Sequence, residues 1–185
     1  MRRSKAEASQ TRERIVKTAA SEFRRNGIAA TGLSELMATV GLTHGGFYRH
    51  FDSKDQLAVE ACRDALVSMT DGMAAKDDLA SVVNNYLAPK HRDCPENGCP
   101  LAALCSEFGR AEEGLRAEAA DGYLRMVQVI ASRLVDLPPR EARTRAMVIA
   151  SAMIGAVTVS RILKDTAASD AALSAMRKSI LQDLC

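Results

Sequence analysis

The chain has 185 residues, 47% hydrophobic and 26% charged, which is enough apolar matter for a buried core and excludes a disordered polyelectrolyte. Aromatics are 4% and strand-like alternation is absent, so an all-α protein is expected. The net charge of +2 hides an asymmetry, because residues 1–63 carry 11 Lys+Arg against 7 Asp+Glu and residues 64–185 carry 14 against 16. A basic front on a mildly acidic body points to a polyanion at one end.

The polar, basic N-terminus has no apolar signal segment, and five cysteines is an odd number. Reduced thiols in a cytoplasm are therefore expected. The longest near-apolar run, Ala146 to Val159, is shorter than the ~20 residues a bilayer span needs, so no membrane association is expected.

Nine helices follow in chain order. Ile15, Val16, Ala19 and Phe23 mark one face of a helix from about 9 to 25, stopped by Asn26-Gly27. Leu33, Leu36, Met37 and Val40 mark a second, ending at Gly41. Thr43 is placed to cap a very short third helix carrying Phe47 and Phe51. Ser53-Lys54-Asp55-Gln56 reads as a capping box that opens a fourth, running to about Ala74. Further helices are expected near 78–88, 100–109, 112–136, 139–164 and 170–184, the last capped by Ser169-Asp170, with residues 89–98 as an irregular loop.

The stretch "GLTHGGFYRHFDSK", Gly41 to Lys54, suits neither a solvent face nor a core. Read as the second half of a helix-turn-helix, its parts separate. Phe47 and Phe51 face inward, and His44, Gly45 and Gly46 form the exposed first turn. Tyr48, Arg49, His50 and Lys54 are donors for phosphate. Each helical glycine costs about 1 kcal/mol relative to alanine, which close backbone approach to DNA would explain.

Thr31 to Leu57, "TGLSELMATVGLTHGGFYRHFDSKDQL", resembles the helix-turn-helix signature of the TetR family of transcriptional repressors, through the spacing of Gly41, Tyr48, His50, Phe51, Lys54 and Leu57. The resemblance implies an all-α homodimer with a helix-turn-helix domain over 1–54 and a larger regulatory domain, for ligand binding and dimerisation, over 55–185. It implies that Thr31, Thr43, Tyr48, His50 and Lys54 hold phosphates while His44 and Gly45 face base edges of a double-stranded, pseudo-palindromic operator. His44 stands where a lysine is frequent and Gly46 where a small polar residue is common, so readout would lean on backbone and DNA shape. The arm Arg2-Arg3-Lys5 would follow phosphates, reach a minor groove or remain solvated.

The last two helices carry the stripes Ile149, Met153, Ala156, Ser160 and Leu173, Met176, Ile180, Leu184. The resemblance suggests that these helices pair with their twins in a dimer. Leu66, Met69, Met73, Tyr86, Leu87, Leu104, Phe108, Tyr123 and Met126 are candidates for an adaptable pocket for a small apolar or aromatic effector, or for plain core.

Cys99, a predicted N-cap before Pro100, is expected to have a lowered thiol pKa at a helix N-terminus, with Cys94 as resolving partner. A thiol-switched repressor is therefore the alternative to a ligand-released one. Cys105 falls on an apolar stripe and is expected in the core. His91, Cys94, Cys99 and Cys105 lack the paired short spacings of structural zinc, so neither metal nor cofactor is expected. Cys99 and His91 lack a third orienting group, so no enzyme is expected.

Overall fold

The computed structural model describes residues 5–182, so the Arg2-Arg3 part of the arm, Leu184 and Cys185 lie outside the described residues. Among the described residues there are ten α-helices and no strand. They are α1 Lys5–Asn26, α2 Leu33–Thr39, α3 His44–Phe47, α4 Lys54–Ala74, α5 Leu79–Tyr86, α6 Pro89–Asp93, α7 Pro100–Phe108, α8 Glu113–Ala131, α9 Pro139–Ile162 and α10 Thr166–Gln182.

The expected nine become ten because Pro89, at the first helical position, starts α6 inside the stretch read as a loop. A 3₁₀ turn, Pro95–Asn97, completes that stretch. Three other boundaries move. α1 begins at Lys5, four residues before the expected start, so Lys5 belongs to the helix and not to the arm. α8 stops at Ala131, five residues early, and hydrogen-bonded turns continue the chain to Leu137. α10 begins at Thr166, not at a Ser169-Asp170 cap. There the Asp165 carboxylate accepts from the Ala168 N–H, while Ser169 is buried and donates to the Ser160 carbonyl at 2.7 Å.

α4 is the spine. One side packs on α1 and the other on α8, and the body continues through α9 to α10. Its start is fixed by Ser53, whose hydroxyl accepts from the Gln56 N–H at 3.0 Å, while Gln56 reaches back to the Asp52 N–H at 2.7 Å. Its end is held by Arg133, which donates to the carbonyls of Met73, Ala74 and Lys76, a cation placed where the helix dipole favours it. α4 and α8 cross closely at Gly122, where an added Cβ would lie 2.6 Å from Leu66 Cδ2.

The stripe Ile149, Met153, Ala156 and Ser160 is buried inside the single chain, as are Leu173 and Ile180. These positions are core, not free surface for a twin. α9 is long and apolar enough by composition to cross a membrane, yet its core-facing residues are spent against α8, α7, α6 and α10. Its outer face carries Val148, Gly155, Val159 and Ile162 in exposed positions, with Ile162 72% exposed.

Candidate nucleic-acid interface and effector cleft

Gly41 turns the chain between α2 and α3 with φ +73°, the left-handed conformation that only glycine adopts without strain, and a side chain there would meet nothing within 4 Å. Conformation, not crowding, sets that residue. α3 is a single turn, so packing must hold it. Phe47 is fully buried, stacks on Phe51 at 5.5 Å and meets Tyr48 edge-on at 5.2 Å. Arg12 of α1 sits 4.5 Å over the Phe51 ring, ion-pairs with Glu60 at 2.6 Å and donates to the His50 carbonyl. Sequence reading did not single out Arg12, because its three partners lie 38 to 48 positions away.

On this anchor, Thr43, His44, Gly45, Tyr48 and Arg49 face solvent together, Tyr48 at 60% exposure and edge-on to His44 at 5.6 Å. A Cβ at Gly45 would meet nothing within 4 Å, and one at Gly46 would make ordinary contact with Thr43 and Met37. His50 and Lys54 are half-buried at the flank, with the Lys54 ammonium donating to the Ala29 carbonyl at 3.3 Å. Two expectations change. Thr43 occupies the N-cap position of α3, but its hydroxyl makes no capping bond. Thr31 is 6% exposed, and its hydroxyl donates to the Gly27 carbonyl at 2.7 Å. It locks the α1–α2 turn and does not join the exposed group.

The same turn is clamped from the body. Glu107, near the end of α7, accepts from the Ile28 and Ala29 N–H groups at 3.2 and 3.0 Å. Gly27, at φ +88°, admits that carboxylate; a Cβ there would lie 2.9 Å from Glu107 Oε1. The other end of α7 begins at Cys99, in the wall of a cleft of about 680 Å³ between α1, α4, α5 and α6.

That cleft differs from the expected pocket. Met69, Met73 and Tyr86 line it. Leu66, Leu87, Leu104, Phe108 and Met126 are close-packed core instead. Tyr123 is tied off by bonds to Ser151 and the Met147 carbonyl. The remaining walls are more polar than expected and include Arg24, Asn85, Lys90 and His91.

His91 is locked neutral. Nδ1 must donate to the Tyr86 carbonyl (2.6 Å), and Nε2 must accept the Cys99 backbone N–H (2.8 Å). Burial, with Arg161 of α9 nearby, lowers its pKa, although the Tyr86 bond opposes the shift. Gly98 permits this closeness, since a Cβ there would stand 2.6 Å from the imidazole. A depressed histidine pKa means the unfolded chain takes the proton first, so this stability is present above the ordinary histidine range and lost as pH falls through the folded value. The melting temperature should therefore drop between pH 7 and 5.5, and His91→Gln should flatten that drop. An equal drop in the variant would exclude His91 as its source.

The cysteines also depart from expectation. Cys99 is the N-cap, but it is 1% exposed and burial pushes its thiol pKa up. The Leu101 and Ala102 N–H groups and the Tyr86 hydroxyl pull it down by less. A protonated, enclosed thiol is a poor nucleophile. Cys94 is half-buried and, like Cys99, unpaired. Cys62 is likewise pushed up to about 12 by burial. Cys105, expected in the core, is exposed.

A three-helix head with an exposed, aromatic-anchored second helix, joined to a larger helical body, defines a helix-turn-helix DNA-binding regulator. Residues 15–61 match the bacterial regulatory proteins of the tetR family, and residues 75–174 match the C-terminal domain of LmrA/YxaF-like transcriptional regulators. The chain belongs to the TetR family of transcriptional regulators. It is 28% identical to the HTH-type transcriptional regulator LmrA of Bacillus subtilis, over 84% of this chain and 89% of that one. It is 38% identical to TtgR of Pseudomonas putida, over 45% of this chain and 40% of that one. A TetR regulator of Chloroflexus aurantiacus superposes with a TM-score of 0.76 at 26% identity, covering 96% and 97% of the two chains. The reduced form of Escherichia coli NemR superposes at 0.77 with 19% identity, over 92% and 95%, a likeness of fold.

Proposed function

We propose that the chain is a repressor that binds a pseudo-palindromic operator as a homodimer and is released by a small effector. The observation that carries this reading is the exposed tip of the head, set on a buried Phe47–Phe51 anchor. His44 with the bare backbone of Gly45 and Gly46 approaches base edges. Thr43, Tyr48, Arg49, His50 and Lys54 hold phosphates, and Lys54 leaves the Ala29 carbonyl to do so. Thr31 acts indirectly by locking the turn. The outer stripe of α9, Val148, Gly155, Val159 and Ile162, meets its twin, with Gly155 allowing close approach. Two heads roughly 34–36 Å apart then match one DNA turn.

The effector enters the α1–α4–α5–α6 cleft. Its leverage is α7, which begins at the cleft wall and ends in the Glu107 clamp on the head. An effector releases DNA only if it binds the DNA-incompetent arrangement more tightly.

The test is selection from random duplexes, followed by operator titration at several salt concentrations. The selected site should be two-fold symmetric and affinity should fall steeply with salt. Lys54→Ala should weaken all sequences about equally and reduce the salt slope by about 1. Val159→Arg should yield monomers in sedimentation and lose operator binding. Selection of a single half-site, or binding indifferent to salt, would defeat the reading.

A further inference from the structure

The cleft has a charge character that shape alone does not require. Its charged lining is Lys17, Arg24, Lys76 and Lys90, against one carboxylate, Asp64, which is exposed at the rim. His91 adds no charge, since both its nitrogens are committed as a neutral ring. Lys17 is bonded to Glu13, one turn earlier on α1. Among the described residues Arg24, Lys76 and Lys90 form no salt bridge.

Arg24 is the most telling. Its guanidinium is largely withdrawn from water, and its hydrogen bonds go to a neutral group, the Glu96 carbonyl. The Glu96 carboxylate itself turns to Arg25. Burial lowers the Arg24 pKa, and the nearby Cys62, Cys99, Asp64 and Glu96 offset that desolvation only in part. Beside it Met69, Met73, Val82 and Ala65 supply an apolar wall. A cleft lined by one sign of charge over low-dielectric walls concentrates ligands of the opposite sign, and an arginine facing a carboxylate forms bonds roughly twice as strong as neutral ones.

We propose that this cleft takes an anionic amphipathic effector, with its carboxylate on Arg24 and its apolar body over Met69, Met73 and Val82. The inference rests on the effector-released reading and names the chemical class of that effector. It also explains how occupancy reaches DNA. Arg24 lies on α1 of the head and its present partner lies in the 3₁₀ turn of the body, so an entering carboxylate competes at the joint between them.

The experiment titrates the full-length protein with matched probes, decanoate against decanamide and 2-naphthoate against 2-naphthamide, by calorimetry and by displacement from the selected operator. At least one carboxylate should bind tenfold or more tightly than its amide. Arg24→Gln should erase that preference while the amide changes less than twofold. Gly72→Phe fills the cleft at a glycine whose Cβ would meet nothing within 4 Å, and should abolish binding of both while leaving the Arg24–Glu96 contacts in place. This variant decides the matter if Arg24→Gln melts early. Equal or tighter amide binding, carboxylate binding unmoved by either variant, or no binding by any probe would overturn the proposal. A neutral amide that releases operator would overturn the anionic class and leave the effector reading standing. A carboxylate held by Arg24 that leaves operator affinity unchanged would confirm the class and overturn the effector reading.

Discussion

Phe47→Ala is expected to abolish operator binding by unmaking the head, not by removing a contact to DNA. α3 is four residues long and two of them are glycine, so it has no stability of its own. Its position comes from one ring, fully buried and held between Phe51 and Tyr48. Removing such a ring typically costs about 3–5 kcal/mol, a large share of the stability of an ordinary domain. Thermal melting followed by circular dichroism should show a lowered transition, with operator affinity lost in parallel. Tyr48→Ala is the contrast. Its side chain is mostly in solvent, so stability should change by less than about 1 kcal/mol while operator affinity still falls. Full affinity in Phe47→Ala would mean that the head does not depend on this anchor.

Gly122→Ala is expected to destabilise the body despite alanine's better helix propensity. The gain from propensity is about 1 kcal/mol. Against it, the new methyl would stand 2.6, 2.8 and 2.9 Å from three carbons of Leu66. Leu66 is fully buried, so either its side chain is forced into another rotamer against its neighbours or α4 and α8 separate. Overpacking of this kind costs typically about 1–3 kcal/mol, and loosening α4 also disturbs the spine that joins head to body. Chemical denaturation should show the loss, and Leu66→Ala should be partly rescued by Gly122→Ala because the methyl then fills the vacated space. Additive losses in the double variant would show that the two residues do not press on each other.

The helix-turn-helix was legible because its signals are local. The Gly41 turn, the Ser53–Gln56 box, the Phe47–Phe51 pair and the Pro100 and Pro139 starts each span a few positions, and each recurs in the folded chain. Thr31 shows the limit even within the motif. A threonine in a polar turn reads equally well as surface, and only the carbonyl of Gly27 beneath it turns the hydroxyl inward.

Elsewhere the determining contacts are distant in sequence. Glu107 meets the Ile28 and Ala29 amides across 79 and 78 positions, and the Arg24–Glu96 contact spans 72. No periodicity encodes such pairs. α9 is apolar on more than one face, so its hydrophobic pattern establishes the helix without saying which face turns outward. The small-residue run Ser151 to Val157 therefore divides between core and surface: Met153, Ala156 and Val157 go in, while Ser151 and Gly155 go out.

The cleft and Cys99 depend on the same kind of information. Position alone put Cys99 at a helix N-terminus, where a thiol is acidified. Packing by Tyr86 and the α6 segment enclosed it, and desolvation then outweighed the helix end. The sequence by itself determined nine of the ten helices, the Ser53 cap and the family to which the chain belongs, because these follow from interactions within one or two turns. Only the tertiary structure decided which apolar residues close-pack and which line a cavity, and which cation is left without a carboxylate. Burial and pairing depend on where separate helices meet in space.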